Sequence, residues 1–297
     1  MKKVLAISGG VDSVVLLHAF RDDPDVVVAH FDHGTRPSSA DDAHFVEMLA
    51  AKYNLPFYLG RAELGPQASE EQARISRYEY FEKLAHELDG EIYTAHHADD
   101  LIESIAINLA RGTGWRGLVP FGNRLIKRPF IETTLLPKDI DMGWKHVERN
   151  DTNIVNKKLI LQYAAKHDLS FQQDPTNTED KYLRNRLREK LTFLDNDIKA
   201  GLLKIYHQTN NLKISIDEIL AEILPENGTY QRAWFDKLDD NVALEILRAA
   251  LTSANISATR PQMLDFLKAI REYKPAKHFN LPGDRLVKIS KNSFTLK

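Results

Sequence analysis

Three features of the sequence predict an α/β protein with a parallel sheet and a smaller, mainly helical C-terminal domain. Short apolar runs alternate with helix-sized amphipathic stretches in the first part of the chain, and polar or glycine-containing turns follow the runs. Beyond about residue 190 the apolar runs give way to helical periodicity. The chain has 297 residues, which at roughly 100 to 200 residues per domain predicts two domains, 1–190 and 191–297.

Val4 to Ile7 and Val26 to Phe31 are continuous apolar runs of the kind that form strands buried on both faces. The stretch between them carries Val14, Leu16, Leu17 and Phe20 and is the length of a helix, so the three together make a βαβ unit. Ser39-Ala40-Asp41-Asp42 opens a second helix with Phe45, Val46 and Leu49 on one face, and Pro56 to Leu59 is a third strand. Ser69 and Gln72 have capping-box spacing at the start of a helix that runs through Leu88, and Glu91 to His96 is a fourth strand. Residues 131–157, rich in Asp and Asn, read as an inserted surface loop. Helices are expected at about 191–223, 231–254 and 259–273, followed by a hairpin turning at Leu281-Pro282-Gly283-Asp284-Arg285.

Composition narrows the chemistry. With no cysteine, disulfides, thiolate zinc sites, persulfide intermediates and iron–sulfur clusters are excluded. A net charge of −2 does not mark a nucleic-acid binder, so any such role must rest on a local basic patch. The apolar run near the N-terminus is too short for a signal peptide or a membrane span, and a cytoplasmic protein without membrane contact is expected.

Five segments carry candidate chemistry. Ser8-Gly9-Gly10-Val11-Asp12-Ser13 lies between a strand and a helix. Its glycines allow backbone N–H groups to approach a polyphosphate, Ser8 and Ser13 add hydroxyls, and the helix N-terminus adds positive potential. Asp12 beside phosphate calls for a cation between them, which points to Mg²⁺; a capped Gly-Gly turn is the purely structural alternative. His30-Phe31-Asp32-His33-Gly34-Thr35-Arg36-Pro37 lies at the end of the second strand, where nucleotide-binding sheets meet the base and ribose. A plain strand-end turn or a zinc site is also open there. Arg74 and Arg77 share a helix face and either clamp an anion or are solvated.

In the fourth segment, Thr94 to Glu103, Asp99, Asp100 and Glu103 converge at a helix mouth beside His96 and His97, a setting for a cation or an amine. In the fifth, Asp174-Pro175-Thr176-Asn177 precedes a basic run with Lys181, Arg184, Arg186, Arg188 and Lys190, which either contacts a phosphate backbone or forms a solvated helix face.

The first loop resembles the pyrophosphate loop of the N-type ATP pyrophosphatases. All five segments in order, with the RPF at Arg128–Phe130 and the C-terminal LPGDRLVKIS, resemble the bacterial tRNA(Ile)-lysidine synthase family of that PP-loop superfamily. The resemblance implies a Rossmann-like PP-loop nucleotide-binding domain over 1–190 and a tRNA-binding domain over 191–297. It implies ATP and Mg²⁺ as cofactors, free L-lysine and an isoleucine tRNA with a CAU anticodon as partners, and it leaves room for a homodimer. In the implied reaction, O2 of the wobble cytidine (position 34) is adenylated with release of pyrophosphate, and the ε-amine of lysine then displaces AMP from C2.

The residues carried over are Ser8, Gly9, Gly10, Val11, Asp12 and Ser13 with His30, Phe31 and His96 for ATP, and Asp12 for Mg²⁺. Asp100 and Glu103 are carried over for the lysine ammonium groups, and Arg74 and Arg188 for the α-phosphate or the substrate carboxylate. Two other readings share the loop. A tRNA thiolase is disfavoured by the lack of cysteine, and a nucleotide-sensing module without chemistry is disfavoured by the acids and arginines.

Overall fold

The computed structural model describes residues 1–34, 39–62, 69–122, 125–142, 154–172, 187, 191 and 193–296. They form two compact units, Met1–Thr209 and Asn210–Lys297. Among the described residues no helix is long and apolar enough to cross a membrane.

The first unit contains β1 (Lys2–Ala6), α1 (Val11–Phe20), β2 (Val26–Asp32), α2 (Ser39–Lys52), β3 (Phe57–Arg61), α3 (Glu70–Glu87), β4 (Gly90–Tyr93), α4 (Ala98–Ala110), β5 (Ile126–Lys127) and α5 (Lys157–Lys166). The strands form one five-stranded sheet in the order β3-β2-β1-β4-β5, and every pairing is parallel. Alternation along each strand divides the core. Leu5, Ile7, Val26, Val28 and Tyr93 lie on the side covered by α1, α2 and α5. Val4, Val27, Ala29 and Ile92 lie on the other side with Phe81, Leu84 and Ala85 of α3. Burial on both faces is why these strands read as unbroken apolar runs. Ser69 and Gln72 cap α3 reciprocally, as their spacing predicts.

The strand order has one functional consequence. The chain leaves β1 toward β2 on one side and later returns to β4 on the other, so the carboxyl ends of β1 and β4 flank a topological switch point. The Ser8–Ser13 loop follows β1, and Thr94 to Asp100 follows β4.

Three expectations are corrected. β4 ends at Tyr93 rather than at His96, which leaves both histidines on the connection to α4. The described part of 131–157 is not a surface loop. Ile131 and Val155 are fully buried, and Leu136, Ile140 and Met142 are nearly so. A few apolar anchors spaced too irregularly to show a period hold these described residues in the core. The expected boundary near 190 also differs from the observed division, which falls within α6 (Asn196–Ile223). Leu203 and Tyr206 of that helix are buried against Ala98, Leu101, Ile102 and Ile105 of α4 in the first unit.

The second unit adds β6 (Thr229–Gln231), α7 (Arg232–Lys237), α8 (Asp240–Ser253), α9 (Arg260–Glu272), β7 (Lys277–Leu281), β8 (Arg285–Ile289) and β9 (Ser293–Thr295). Its sheet is four-stranded, in the order β6-β9-β8-β7. The expected hairpin is present as β7–β8, but the stretch expected to be helical from 231 is broken where Asp239 caps α8 through a 2.9 Å bond from the N–H of Asn241. Phe235, Leu247, Phe266, Ile270 and Phe294 form the centre of this core.

Candidate active site

The loop after β1 is organised by Ser13. Its hydroxyl oxygen accepts the N–H of Gly9 at 3.1 Å and of Ser8 at 3.2 Å. Its own O–H donates to the Gly10 carbonyl at 2.8 Å. Ser13 is 4% exposed, and these bonds hold the loop together from within. Ser8 is the exposed hydroxyl. Gly9 has φ +93°, a conformation that favours glycine. Gly10 begins α1 without a side-chain cap, so the first N–H groups of that helix, at Val11 and Asp12, lack the side-chain acceptor that ordinarily satisfies one of them. An anion fits this end of the helix.

The connection after β4 meets this loop. His97, 5% exposed, caps α4 by accepting the N–H of Asp99 on Nδ1 at 3.2 Å. An accepting Nδ1 places the ring proton on Nε2. Nε2 lies 3.9 Å from Oδ1 of Asp12 and 3.5 Å from Oδ2 of Asp100. Asp100 completes the cap by accepting the N–H of His97 at 3.0 Å. One buried imidazole therefore links the pyrophosphate-type loop to the acidic mouth of α4.

Two lysines outside the sequence motifs enter this group. Nζ of Lys157 lies 2.7 and 2.9 Å from the two carboxylate oxygens of Asp12, and Nζ of Lys199 donates to Asp99 at 2.7 Å. Burial alone would raise the Asp99 carboxyl, but the Lys199 ammonium and the backbone N–H of Lys157 outweigh it and hold Asp99 below the ordinary carboxylate range. Neither lysine belongs to a recognisable motif. The only local signal is Asn156, which caps α5 and so places Lys157 at its first position.

His96 faces a different set of groups. Burial, then the charges of Arg128, Arg77 and Arg74, push its pKa down to about 3, so it is a neutral ring at physiological pH. Nδ1 shares a 2.9 Å hydrogen bond with Thr94. Arg128 is buried, stacks 4.5 Å over Phe121 and donates to the Ile126 carbonyl at 3.1 Å. Arg74 is exposed on α3 and lies over Tyr78 at 5.1 Å. It contributes charge on the His96 side of the site.

At the end of β2, His30 donates from Nδ1 to the Ile7 carbonyl at 2.8 Å, and burial lowers its pKa. The Phe31 side chain is in the core against α3, so backbone groups are what Phe31 can offer a nucleotide. Glu103 is 6% exposed and lies a turn deeper along α4 than Asp99. Arg188 and the basic run around it, with Asp174 to Asn177, lie outside the described residues.

Among the described residues no three metal-binding side chains are grouped to hold an ion by themselves. Asp12 offers one carboxylate. That suits a cation such as Mg²⁺, which takes one or two carboxylates and completes its shell with phosphate oxygens and water.

The PP-loop domain family matches residues 1–194. The bifunctional protein TilS/HprT of Listeria monocytogenes serotype 4b is 35% identical over 64% of this chain and 29% of its own length. The tRNA(Ile)-lysidine synthase of Clostridium tetani is 28% identical over 77% of this chain and 48% of its own. That of Staphylococcus aureus strain MW2 is 25% identical over 97% and 69%. This chain thus spans less than a third of the Listeria protein and about half of the Clostridium enzyme. Among solved structures, the U34-tRNA thiolase NcsA of Methanococcus maripaludis shares the fold, with a TM-score of 0.52 at 14% identity over 71% of this chain and 72% of that one.

Proposed function

This chain belongs to the PP-loop family, and from that premise we propose that it is an ATP-dependent ligase that joins free L-lysine to C2 of the wobble cytidine (position 34) of an isoleucine tRNA with a CAU anticodon. O2 of the cytidine attacks the α-phosphorus of ATP, a P–O bond forms, and the bond to the bridging oxygen breaks to release pyrophosphate. The lysine ε-amine then attacks C2, the C2–O bond breaks, AMP leaves, and the amine gives up its proton to yield lysidine.

The observation that carries this reading is the link through His97 between Asp12 and Asp100. It supports reading the Ser8–Ser13 loop and the acidic start of α4 as the two halves of one site, one for the pyrophosphate that is expelled and one for the amine that is admitted. Ser8 to Asp12 receive the pyrophosphate end, and Asp12 holds Mg²⁺, which offsets charge on the phosphate oxygens when bound. Asp100 and Glu103 take the ammonium groups of lysine, and His96 stays neutral beside the nucleotide. Arg74 and Arg188 are assigned to the α-phosphate or the lysine carboxylate.

The C-terminal unit is assigned to tRNA. Lys277, His278, Arg285 and Lys288 are exposed on its β7–β8 hairpin, with His278 directly opposite Lys288. The cations Lys277, Arg285 and Lys288 on one exposed ribbon suit a phosphate backbone. A sulfur-transferring reading has no support in a sequence without cysteine.

The test is release of AMP and pyrophosphate from ATP with Mg²⁺, lysine and the CAU transcript, with mass analysis of the nucleoside. Lysidine appearing only when all components are present is the expected result. Pyrophosphate release that ignores both tRNA and lysine would sink the assignment.

A further inference from the structure

We propose that Lys157 is a phosphate-binding residue of the ATP site, its ammonium serving the β- and γ-phosphate oxygens as well as Asp12. The inference rests on the ATP reading above and adds a residue to it.

Lys157 is fixed at its backbone and accessible at its head. The Ala98 N–H donates to the Val155 carbonyl at 3.0 Å, and the Lys157 N–H donates to Oδ2 of Asp99 at 2.9 Å, so α4 sets where α5 begins. Farther along, Ile160, Tyr163 and Ala164 are buried in the core shared with α1. The side chain, by contrast, is 43% exposed, and its ammonium reaches Asp12 in the first turn of the phosphate-type loop's helix.

A lysine ammonium has three donors, and the two oxygens of Asp12 engage at most two of them. Asp12 also stands at a helix end suited to an anion, where a carboxylate and a polyphosphate repel unless positive charge lies between them. Lys157 supplies such a charge from the chain itself, on a flexible stem that can share or exchange its partner.

The opposite role predicts an effect of opposite sign. If Lys157 only neutralises Asp12, it competes with the metal for that carboxylate, and removing it should tighten Mg·ATP binding. If it binds phosphate, removing it should weaken binding.

Calorimetric binding of Mg·ATP and of Mg·pyrophosphate to the wild type, Lys157→Gln and Lys157→Arg decides between them, with thermal melting as a control for folding. We expect Lys157→Gln to weaken both ligands by about 10- to 150-fold, the range for a lost charge-assisted hydrogen bond, and Lys157→Arg to recover most of the loss. Unchanged or tighter binding by Lys157→Gln would overturn the proposal, and so would a loss that Lys157→Arg fails to recover. A wild-type chain that binds Mg·ATP but makes no lysidine would sink the ligase reading and leave this test intact. A wild type that binds neither ligand would overturn both.

Discussion

His97 Nε2 stands 3.9 Å from Asp12 on one side and 3.5 Å from Asp100 on the other, while Nδ1 of the same ring caps α4. A single side chain thus caps one helix and stands between two carboxylates from the first turns of α1 and α4.

The two roles of His97 separate by substitution. Asparagine is a good helix cap and keeps a short acceptor, so His97→Asn should melt close to the wild type but lose adenylation, because no imidazole then stands between Asp12 and Asp100. His97→Ala should lose about 0.5 to 2 kcal/mol of stability as well. Denaturant titration alongside pyrophosphate release measures both, and near wild-type release by the asparagine variant would show that the imidazole is only a cap.

Asp100→Asn keeps an oxygen for the cap and removes the charge, as Glu103→Gln does deeper along α4. Both should spare adenylation and slow lysine transfer by roughly 10- to 150-fold, equivalent to about 1.5 to 3 kcal/mol for a charge-assisted hydrogen bond. Single-turnover assays with pre-formed adenylated tRNA isolate the second step. Equal loss in both steps would assign these acids to the metal.

Acid should destabilise the first unit before its carboxylates titrate. Burial, followed by neighbouring arginines, holds His96 near a pKa of about 3, and burial, followed by Arg21, holds His18 near about 4. Both lie below the ordinary value of 6.5. Between each folded value and 6.5 the unfolded chain binds more protons, so stability is fully present above that window and falls as pH drops through it. His96→Gln should flatten the fall between about pH 6 and 4. Chemical denaturation across that range measures it, and an unchanged slope would mean that His96 is not held neutral.

Truncation tests the boundary. A chain ending near residue 190 loses Leu203 and Tyr206, buried at 0% and 2% exposure, and the Lys199 partner of Asp99. It should be unstable, whereas one ending after Ile223 should fold with a cooperative transition. Leu203→Ala in the full chain should cost about 2 to 5 kcal/mol, read from denaturation. A stable 1–190 fragment would show that these helix contacts are dispensable.

The sequence by itself determined the parallel sheet, its flanking helices and the two loops that carry the chemistry. Those elements are signalled locally: β1 and β2 are apolar runs because both faces are buried, Ser69 and Gln72 cap through near neighbours, and Gly9 stands where a positive φ is needed. The short strands β5 and β6, at two and three residues, carry too little pattern to read. Only the tertiary structure joined Asp12 to Lys157, 145 residues away, and Asp99 to Lys199, 100 residues away. It alone turned Ser13 inward, buried the ends of the 131–157 segment and gave the start of α6 to the first unit. Such pairings follow from which helices pack together, and a lone lysine at the start of a helix or on its face has the same local sequence whether it meets solvent or a carboxylate.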